Sequence, residues 1–452
     1  MRRPTPRLRV ALAALLLTFA AALPPAPAGA ADPGDEDARE GLVLRQPEGD
    51  GSGTPIPRSP QVATPAAATV PPNFRDELIV GGLDEPTVVQ FAADGRMFVA
   101  EKRGRILLFD SGTDATPTVF ANLETQVHNL WDRGFLGMVL DPAFTTGRPY
   151  VYVAYTANDI IGDGLGAPRW PSDPAEPWKD RCPSPPGTTT DGCVVSGRVS
   201  RLTAGGTPLT AGPEQQLVQA WCQQFPSHSM GSLAFGPEGA LYVTGGEGAS
   251  FFQEDWGQLG GTQPGTPTPV NPCGDPANQG GALRSQDLRT PTTDPVGLSG
   301  TLIRINPDTG AAWPTNNLIG SADTNAQRII AYGLRNPFRF AIRPGSNEIW
   351  IGDVGNYSWE EINLVADPTA APRNFGWPCY EGADDGPARN PDWDALDIAI
   401  CENLYASSGA VSAPAFAYGR EGEPPFVTGD GCGTDSSAIA GLTFLGTNSG
   451  YP

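Results

Sequence analysis

Histidine titrates nearest neutral pH and is the commonest general base, and this 452-residue chain has two, His128 and His228. His228 stands in Ser227-His228-Ser229-Met230-Gly231-Ser232, directly ahead of the apolar run Leu233-Ala234-Phe235, which places it where a strand begins. A lone histidine also serves structurally, and position alone leaves both roles open. His128, in Gln126-Val127-His128-Asn129-Leu130-Trp131, is a loop residue with no comparable placement. A second chemistry-bearing run, Ala331 to Phe340, sets the guanidinium of Arg335 and the amide of Asn336 just before another strand start. Fixed donors there suit an anionic or quinone ligand; Asn-Pro is equally a turn former. The third, Gly352-Asp353-Val354-Gly355-Asn356 followed by Trp359-Glu360-Glu361-Ile362-Asn363, combines backbone carbonyls with carboxylates. That is the oxygen chemistry calcium takes, although the run does not match a spaced calcium loop.

The elements that carry these residues repeat. Val88-Val89-Gln90-Phe91, a turn at Ala93-Asp94-Gly95 and Met97-Phe98-Val99-Ala100 make an apolar strand, a tight turn and a second apolar strand. The pattern returns at Gly137 to Pro142 with Tyr150 to Val153, at Leu233 to Gly239 with Leu241 to Val243, and at Phe340 to Gly345 with Ile349 to Gly352. A fifth copy is expected to begin at Gly441-Leu442-Thr443-Phe444-Leu445-Gly446. Gly104 to Asp110 and Gly300 to Asp308 read as outer hairpin strands of two such units. With 56 Gly and 48 Pro, punctuation is too dense for long helices. Repeated four-stranded units with loop insertions are the sequence sign of an all-β β-propeller. A β-sandwich also alternates strands and turns, but it predicts no recurrent unit of one composition. Five unit starts, the last unfinished, do not close a ring, and an open unit leaves sheet edges in water. The sequence is therefore expected to lack the final one to two blades.

Residues 1–31 have the three parts of a secretory leader: Arg2, Arg3, Arg7 and Arg9, an apolar run from Val10 to Leu23, and Ala28-Gly29-Ala30. Residues 32–72 are Pro/Gly-rich and read as a flexible linker, with the propeller over 73–452. No later stretch approaches a membrane span. The net charge of −21 becomes more negative still without the leader, which argues against nucleic acid and anionic membranes as partners. Seven cysteines in an oxidising compartment are expected to pair. Cys182 and Cys193 close a short loop, Cys379 and Cys401 bracket an insertion, Cys222 and Cys273 remain as the long-range choice, and Cys432 is left over.

Taken in order, six runs carry a resemblance: Phe98 to Lys102, Asp132-Arg133-Gly134-Phe135-Leu136-Gly137, His228 to Val243, Tyr332 to Phe340, Gly352 to Asn363 and Asn374-Phe375-Gly376-Trp377-Pro378. Together they resemble the glucose/sorbosone dehydrogenase family over residues 75–452. The resemblance implies a six-bladed β-propeller and a secreted oxidoreductase that uses pyrroloquinoline quinone (PQQ) and calcium to oxidise sugars. His228 would take the proton of the sugar hydroxyl while hydride passes to the quinone. Arg335 would polarise the quinone oxygens, with Asn336 beside it and Asp132 near the cofactor. Carbonyls of Gly355 and Asn356 would bind the cofactor's calcium, and Glu360 and Glu361 align with acids near a second one. The partners implied are a small-molecule sugar and an external electron acceptor.

Departures from the soluble glucose dehydrogenases stand beside these likenesses. Ser227 replaces the acid that precedes their histidine, so a carboxylate raising its basicity is expected to be missing. Asp132 stands where they have a glutamine, and basic residues of the last blades would fall beyond Pro452. Two other readings compete: a secreted propeller without catalysis that binds carbohydrate or protein, and a calcium-dependent propeller hydrolase, disfavoured by the motifs.

Overall fold

The computed structural model describes residues 77–159, 194–249, 273, 275, 276, 278–356, 359–383, 387–419 and 438–445. The expected leader and linker, the Cys182–Cys193 loop and Cys432 lie outside the described residues. Within them the chain is all-β, with mostly antiparallel sheets.

Each sheet begins with the expected apolar hairpin. The first contains β1 (Pro86–Phe91), β2 (Met97–Glu101), β3 (Arg105–Phe109) and β4 (Thr118–Asn122) in sequence order. The second contains β5 (Phe135–Leu140), β6 (Tyr150–Ala157), β7 (Val195–Gly205), β8 (Thr210–Ala211) and β9 (Gln215–Gln223), with both β8 and β9 paired to β7. The third runs through β10 (Met230–Phe235), β11 (Leu241–Gly245), β12 (Thr301–Ile305) and β13 (Ile329–Tyr332). The fourth starts with β14 (Arg339–Ile342), β15 (Ile349–Asp353) and β16 (Trp359–Val365). The short β17 (Arg373–Asn374) returns to lie parallel to β13, β18 (Tyr380–Ala383) and β19 (Pro387–Arg389) form a separate hairpin, and β20 (Phe416–Gly419) completes the fourth sheet beside β16.

The strands of the second sheet are apolar on both sides because neighbouring sheets cover both of its faces. In β6, Val151, Val153 and Tyr155 pack with Phe98, Ile106 and Phe120 of the first sheet, while Tyr152 and Ala154 face Leu233 and Val243 of the third. That is the period-two alternation of a strand with two buried faces. A third core joins Tyr242 and Leu302 to Phe340, Ile349 and Ile351. The first strands β1, β5, β10 and β14 are successive neighbours, tied by Thr87 Oγ1 to the Phe135 carbonyl at 2.7 Å and by the Phe340 N–H to Ser232 Oγ at 3.3 Å. They approach closely enough that glycine is required: a Cβ on Gly231 would meet the Pro337 carbonyl.

Two insertions are pinned by disulfides. Cys222 bonds Cys273, the remaining choice in the sequence, and Cys379 bonds Cys401, the expected bracket of an insertion. The latter fastens a small lobe around Trp377, Trp393 and Leu404, with a helix over Ala399–Tyr405. Expected strand structure at 441–446 is not found where the residues are described: 441–445 pair with no ladder. Segment 438–445 instead lies on the fourth sheet, with the Ile439 N–H on Glu360 and the Phe444 ring 6.1 Å from Trp350.

Candidate functional site

His228 and Arg335 occupy matching places, in the turns that lead into β10 and β14. Hairpin register explains what each one meets. In the third sheet Met230 pairs with Gly245, and two further steps set His228 opposite Glu247. In the fourth, Arg339 pairs with Gly352, and continuing that register sets Arg335 opposite Asn356. Both pairs are in contact.

His228 Nδ1 lies 2.8 Å from Glu247 Oε1, and both residues are about 1% exposed. A carboxylate only accepts, so Nδ1 carries the hydrogen and Nε2 is the basic nitrogen. The second Glu247 oxygen accepts from the indole Nε1 of Trp377. Loss of the acid at Ser227 therefore does not strip the histidine of a carboxylate, contrary to the sequence expectation; Glu247 supplies it from the far side of the hairpin. Ser227 Oγ instead donates to Asp132 at 3.2 Å, and the same Asp132 oxygen lies 3.4 Å from the His228 N–H. The turn is tight: His228 has φ of +46°, a conformation rare for non-glycine residues. Its carbonyl accepts the Gly248 N–H at 3.1 Å, and a Cβ on Gly246 would strike that carbonyl.

Arg335 is 2% exposed and joins this group directly, since its carbonyl accepts the Glu247 N–H at 3.0 Å and its guanidinium lies 5.4 Å from the Trp377 ring centre. It also donates to the Gly355 carbonyl at 2.5 Å and to Asn356 Oδ1 at 3.1 Å. Backbone N–H groups of Arg335 and Asn336 donate to the two oxygens of Asp353 at 3.0 and 2.7 Å.

Of the sequence-predicted residues, His228, Asp132, Arg335, Asn336, Gly355 and Asn356 thus fall into two linked hydrogen-bonded groups. Glu360 and Glu361 have different hydrogen-bond partners. They project to opposite sides of β16: Glu360 receives the Ile439 N–H, while Glu361 receives the Gly382 N–H at 2.6 Å and pairs across strands with Asp353. Burial, opposed by hydrogen bonds from Asn363 and Gly382 and reinforced by Glu381 and Glu360, pushes the Glu361 carboxyl up to about 7. Burial first, and then Glu361, raise Asp353 well above the carboxylate range. His128, fully buried, is pushed well below the ordinary histidine range by desolvation and the Arg133 charge. At neutral pH it is an uncharged core residue.

An anionic planar acceptor suits the Arg335 end. Arg335 Nε and Ser229 Oγ are buried polar atoms with no hydrogen-bond partner among the described residues. Such atoms carry a desolvation cost that a bound acceptor removes. Calcium is suited less well. The Gly355 carbonyl is already engaged by Arg335, and among the described residues no three His, Cys, Asp or Glu side chains converge as metal ligands.

These features define an all-β protein of antiparallel sheets whose first turns bring a carboxylate-held histidine beside a buried arginine. The family model for glucose/sorbosone dehydrogenase matches residues 83–421, and the chain belongs to that family. The HIPL2 protein of Arabidopsis thaliana is 25% identical over 305 residues, covering 64% of this chain and 40% of that protein. Aldose sugar dehydrogenase YliI of Escherichia coli K12 is 33% identical over 97 residues, covering 22% and 24%. The chain thus spans less than half the length of either relative. Among solved structures, the PQQ-bound aldose sugar dehydrogenase of Streptomyces coelicolor aligns at 18% identity with a TM-score of 0.48, covering 76% of this chain and 70% of that one. A putative glucose dehydrogenase of Thermus thermophilus aligns at 25% identity with a TM-score of 0.46, covering 70% of each.

Proposed function

We propose that this protein is a secreted PQQ-dependent oxidoreductase that removes hydride and a proton from a sugar hydroxyl carbon, on the scaffold of a six-bladed β-propeller. Family membership supports the reaction class, and the His228–Glu247 pair beside Arg335 is the observation that carries the assignment. Successive four- and five-stranded sheets, with their first strands side by side, support the propeller. Two disulfides support an oxidising compartment. Among the described residues no helix is long and apolar enough to cross a membrane.

PQQ, when bound, supplies the two-electron acceptor. The chain's own groups do the rest. Glu247 fixes the imidazole with Nδ1–H toward itself, so Nε2 takes the hydroxyl proton, and the carboxylate stabilises the imidazolium that results. Arg335 would hold the cofactor, its buried Nε–H being available to an acceptor oxygen, and the Trp377 indole beside the guanidinium covers that side of it. Asp132 and Ser227 hold the backbone of His228 in its left-handed turn. No step is assigned to calcium, because the Gly355 carbonyl is already engaged by Arg335.

The test is reconstitution of the protein with PQQ, followed by dye reduction on a panel of aldoses. Uptake of PQQ and sugar-dependent reduction are expected, with His228→Ala lowering kcat at least ~10³-fold while cofactor uptake persists. Absence of PQQ uptake would overturn the enzyme reading and leave a carbohydrate-binding propeller. Retained turnover in His228→Ala would remove His228 as the base.

A further inference from the structure

We infer that Trp377 is a positioning residue for the base: by donating to the far oxygen of Glu247, its indole holds down the proton affinity of the His228–Glu247 pair and keeps Nε2 free to accept a proton. The inference rests on the reading of His228 as the base. Glu247 is buried and divides its two oxygens, Oε1 accepting from His228 Nδ1 at 2.8 Å and Oε2 from Trp377 Nε1. A hydrogen bond to a carboxylate stabilises the charged form, most of all where burial has removed water. With the imidazole neutral the pair carries one negative charge; with Nε2 protonated it carries none. The indole N–H favours the first state over the second, and so opposes protonation. A base already protonated at working pH can take no proton from a substrate.

Trp377 is anchored for this contact. Its N–H donates to the Gly333 carbonyl at 2.9 Å, its carbonyl accepts Gln286 Nε2 at 2.7 Å, and its ring meets Trp393 with centroids 6.5 Å apart and planes at 68°. The Arg335 guanidinium, 5.4 Å from the ring centre, draws on the π electrons and makes the indole N–H a better donor. Other charges face the pair from neighbouring elements. Asp132, in the turn before β5, reaches the His228 N–H, and Lys102, just after β2, acts on Asp132. Arg133 turns to the Gln223 carbonyl at 2.9 Å, and the Arg335 carbonyl accepts the Glu247 N–H. Trp377→Phe keeps every one of these groups and an aromatic ring, and removes only the N–H.

The test begins with the unloaded protein, whose histidine resonances are followed by NMR against pH. The chain has two histidines, and His128 is buried and uncharged at neutral pH, so the midpoint belongs to His228. Trp377→Phe should raise that midpoint by about one pH unit, the effect of one charge-assisted hydrogen bond. In a Glu247→Gln background the same substitution should leave it unchanged. With PQQ loaded, the acid limb of kcat/KM should move up equally in Trp377→Phe, while the alkaline plateau stays within about threefold of wild type. An unmoved midpoint, or a kcat/KM lowered by one factor at every pH, would overturn the inference and leave Trp377 as packing. If Trp377→Phe does not fold, Glu247→Gln alone decides: the lowest-field indole N–H resonance should move upfield, and one that stays in place overturns the inference. A raised midpoint in a protein that takes up no PQQ would overturn the dehydrogenase reading and keep the role of Trp377.

Discussion

His228 and Glu247 are 19 residues apart and meet only because the β10–β11 hairpin is in one register. Their bond is the part of the site most open to a sharp mutational test. Glu247→Gln keeps the shape and can still accept from Nδ1–H, yet it removes the charge that steadies the imidazolium, and its amide can turn to offer N–H and reverse the tautomer. kcat is expected to fall about 10²- to 10⁴-fold with little change in PQQ uptake. Steady-state kinetics beside a cofactor titration check this, and an unaltered kcat would remove Glu247 from any role in proton transfer. The sequence displayed His228 and Arg335 because their residue types and their places before strands are local facts. It hid Glu247, since Gly246-Glu247-Gly248 reads as a turn until the register beside Met230 and Gly245 is known. For the same reason the loss of an acid at Ser227 suggested a weakened base, when the carboxylate arrives from across the hairpin.

At the scale of elements, apolar hairpins were legible because alternation and turn residues are local, and β1 with β2, β5 with β6, β10 with β11 and β14 with β15 form where the pattern puts them. The segment Gly281–Arg289 was not legible. It forms a 3₁₀ stretch with most of its polar side chains buried, a pattern that looks like solvated loop in sequence. Its burial serves the site: Gln286 Nε2 donates to the Trp377 carbonyl at 2.7 Å and to Asn374 Oδ1 at 3.0 Å, which holds the indole that faces Glu247. Asp287, in the same stretch, accepts the Gly297 N–H at 2.7 Å, but desolvation outweighs that bond and raises its carboxyl well above the carboxylate range. The linkage has a definite sign. Below about pH 3 the group is protonated in both states and its contribution to stability is fully present. As pH rises through the ordinary carboxylate range toward the raised folded value, the unfolded chain ionises more readily and stability falls. Asp287→Asn keeps the acceptor and cannot ionise, so it should match wild type in urea midpoint below about pH 3 and exceed it at pH 8. Parallel midpoints across that range would show that Asp287 does not ionise on unfolding.

For the whole molecule, the two disulfides decide how firmly the insertions hold the site to the sheets. Cys222 is at the end of β9, beside Gln224 and Phe225, whose N–H groups both reach the Gly248 carbonyl; Gly248 in turn donates to the His228 carbonyl. Cys379 follows Trp377 by two residues, and its carbonyl accepts from Tyr405 Oη at 2.9 Å. Separations of 51 and 22 residues correspond to about 4 and about 3 kcal/mol of loop-closure entropy removed from the unfolded chain. The sequence suggested Cys379 with Cys401 as the bracket of an insertion and left Cys222 with Cys273 as the remaining choice; the bearing of either bond on His228 and Trp377 was hidden, since it depends on which sheets the insertions fold back onto. Replacing Cys222 and Cys273 together by Ser should cost about 4 kcal/mol and lower kcat, because the strand end that props Gly248 loses its tether. Replacing Cys379 and Cys401 should cost about 3 kcal/mol and free the Trp377 ring from its lobe, which near-ultraviolet dichroism would register. Chemical denaturation of both double variants measures the two costs. If each unfolds at the wild-type midpoint, the insertions are held by packing and the bonds contribute nothing to the architecture of the site.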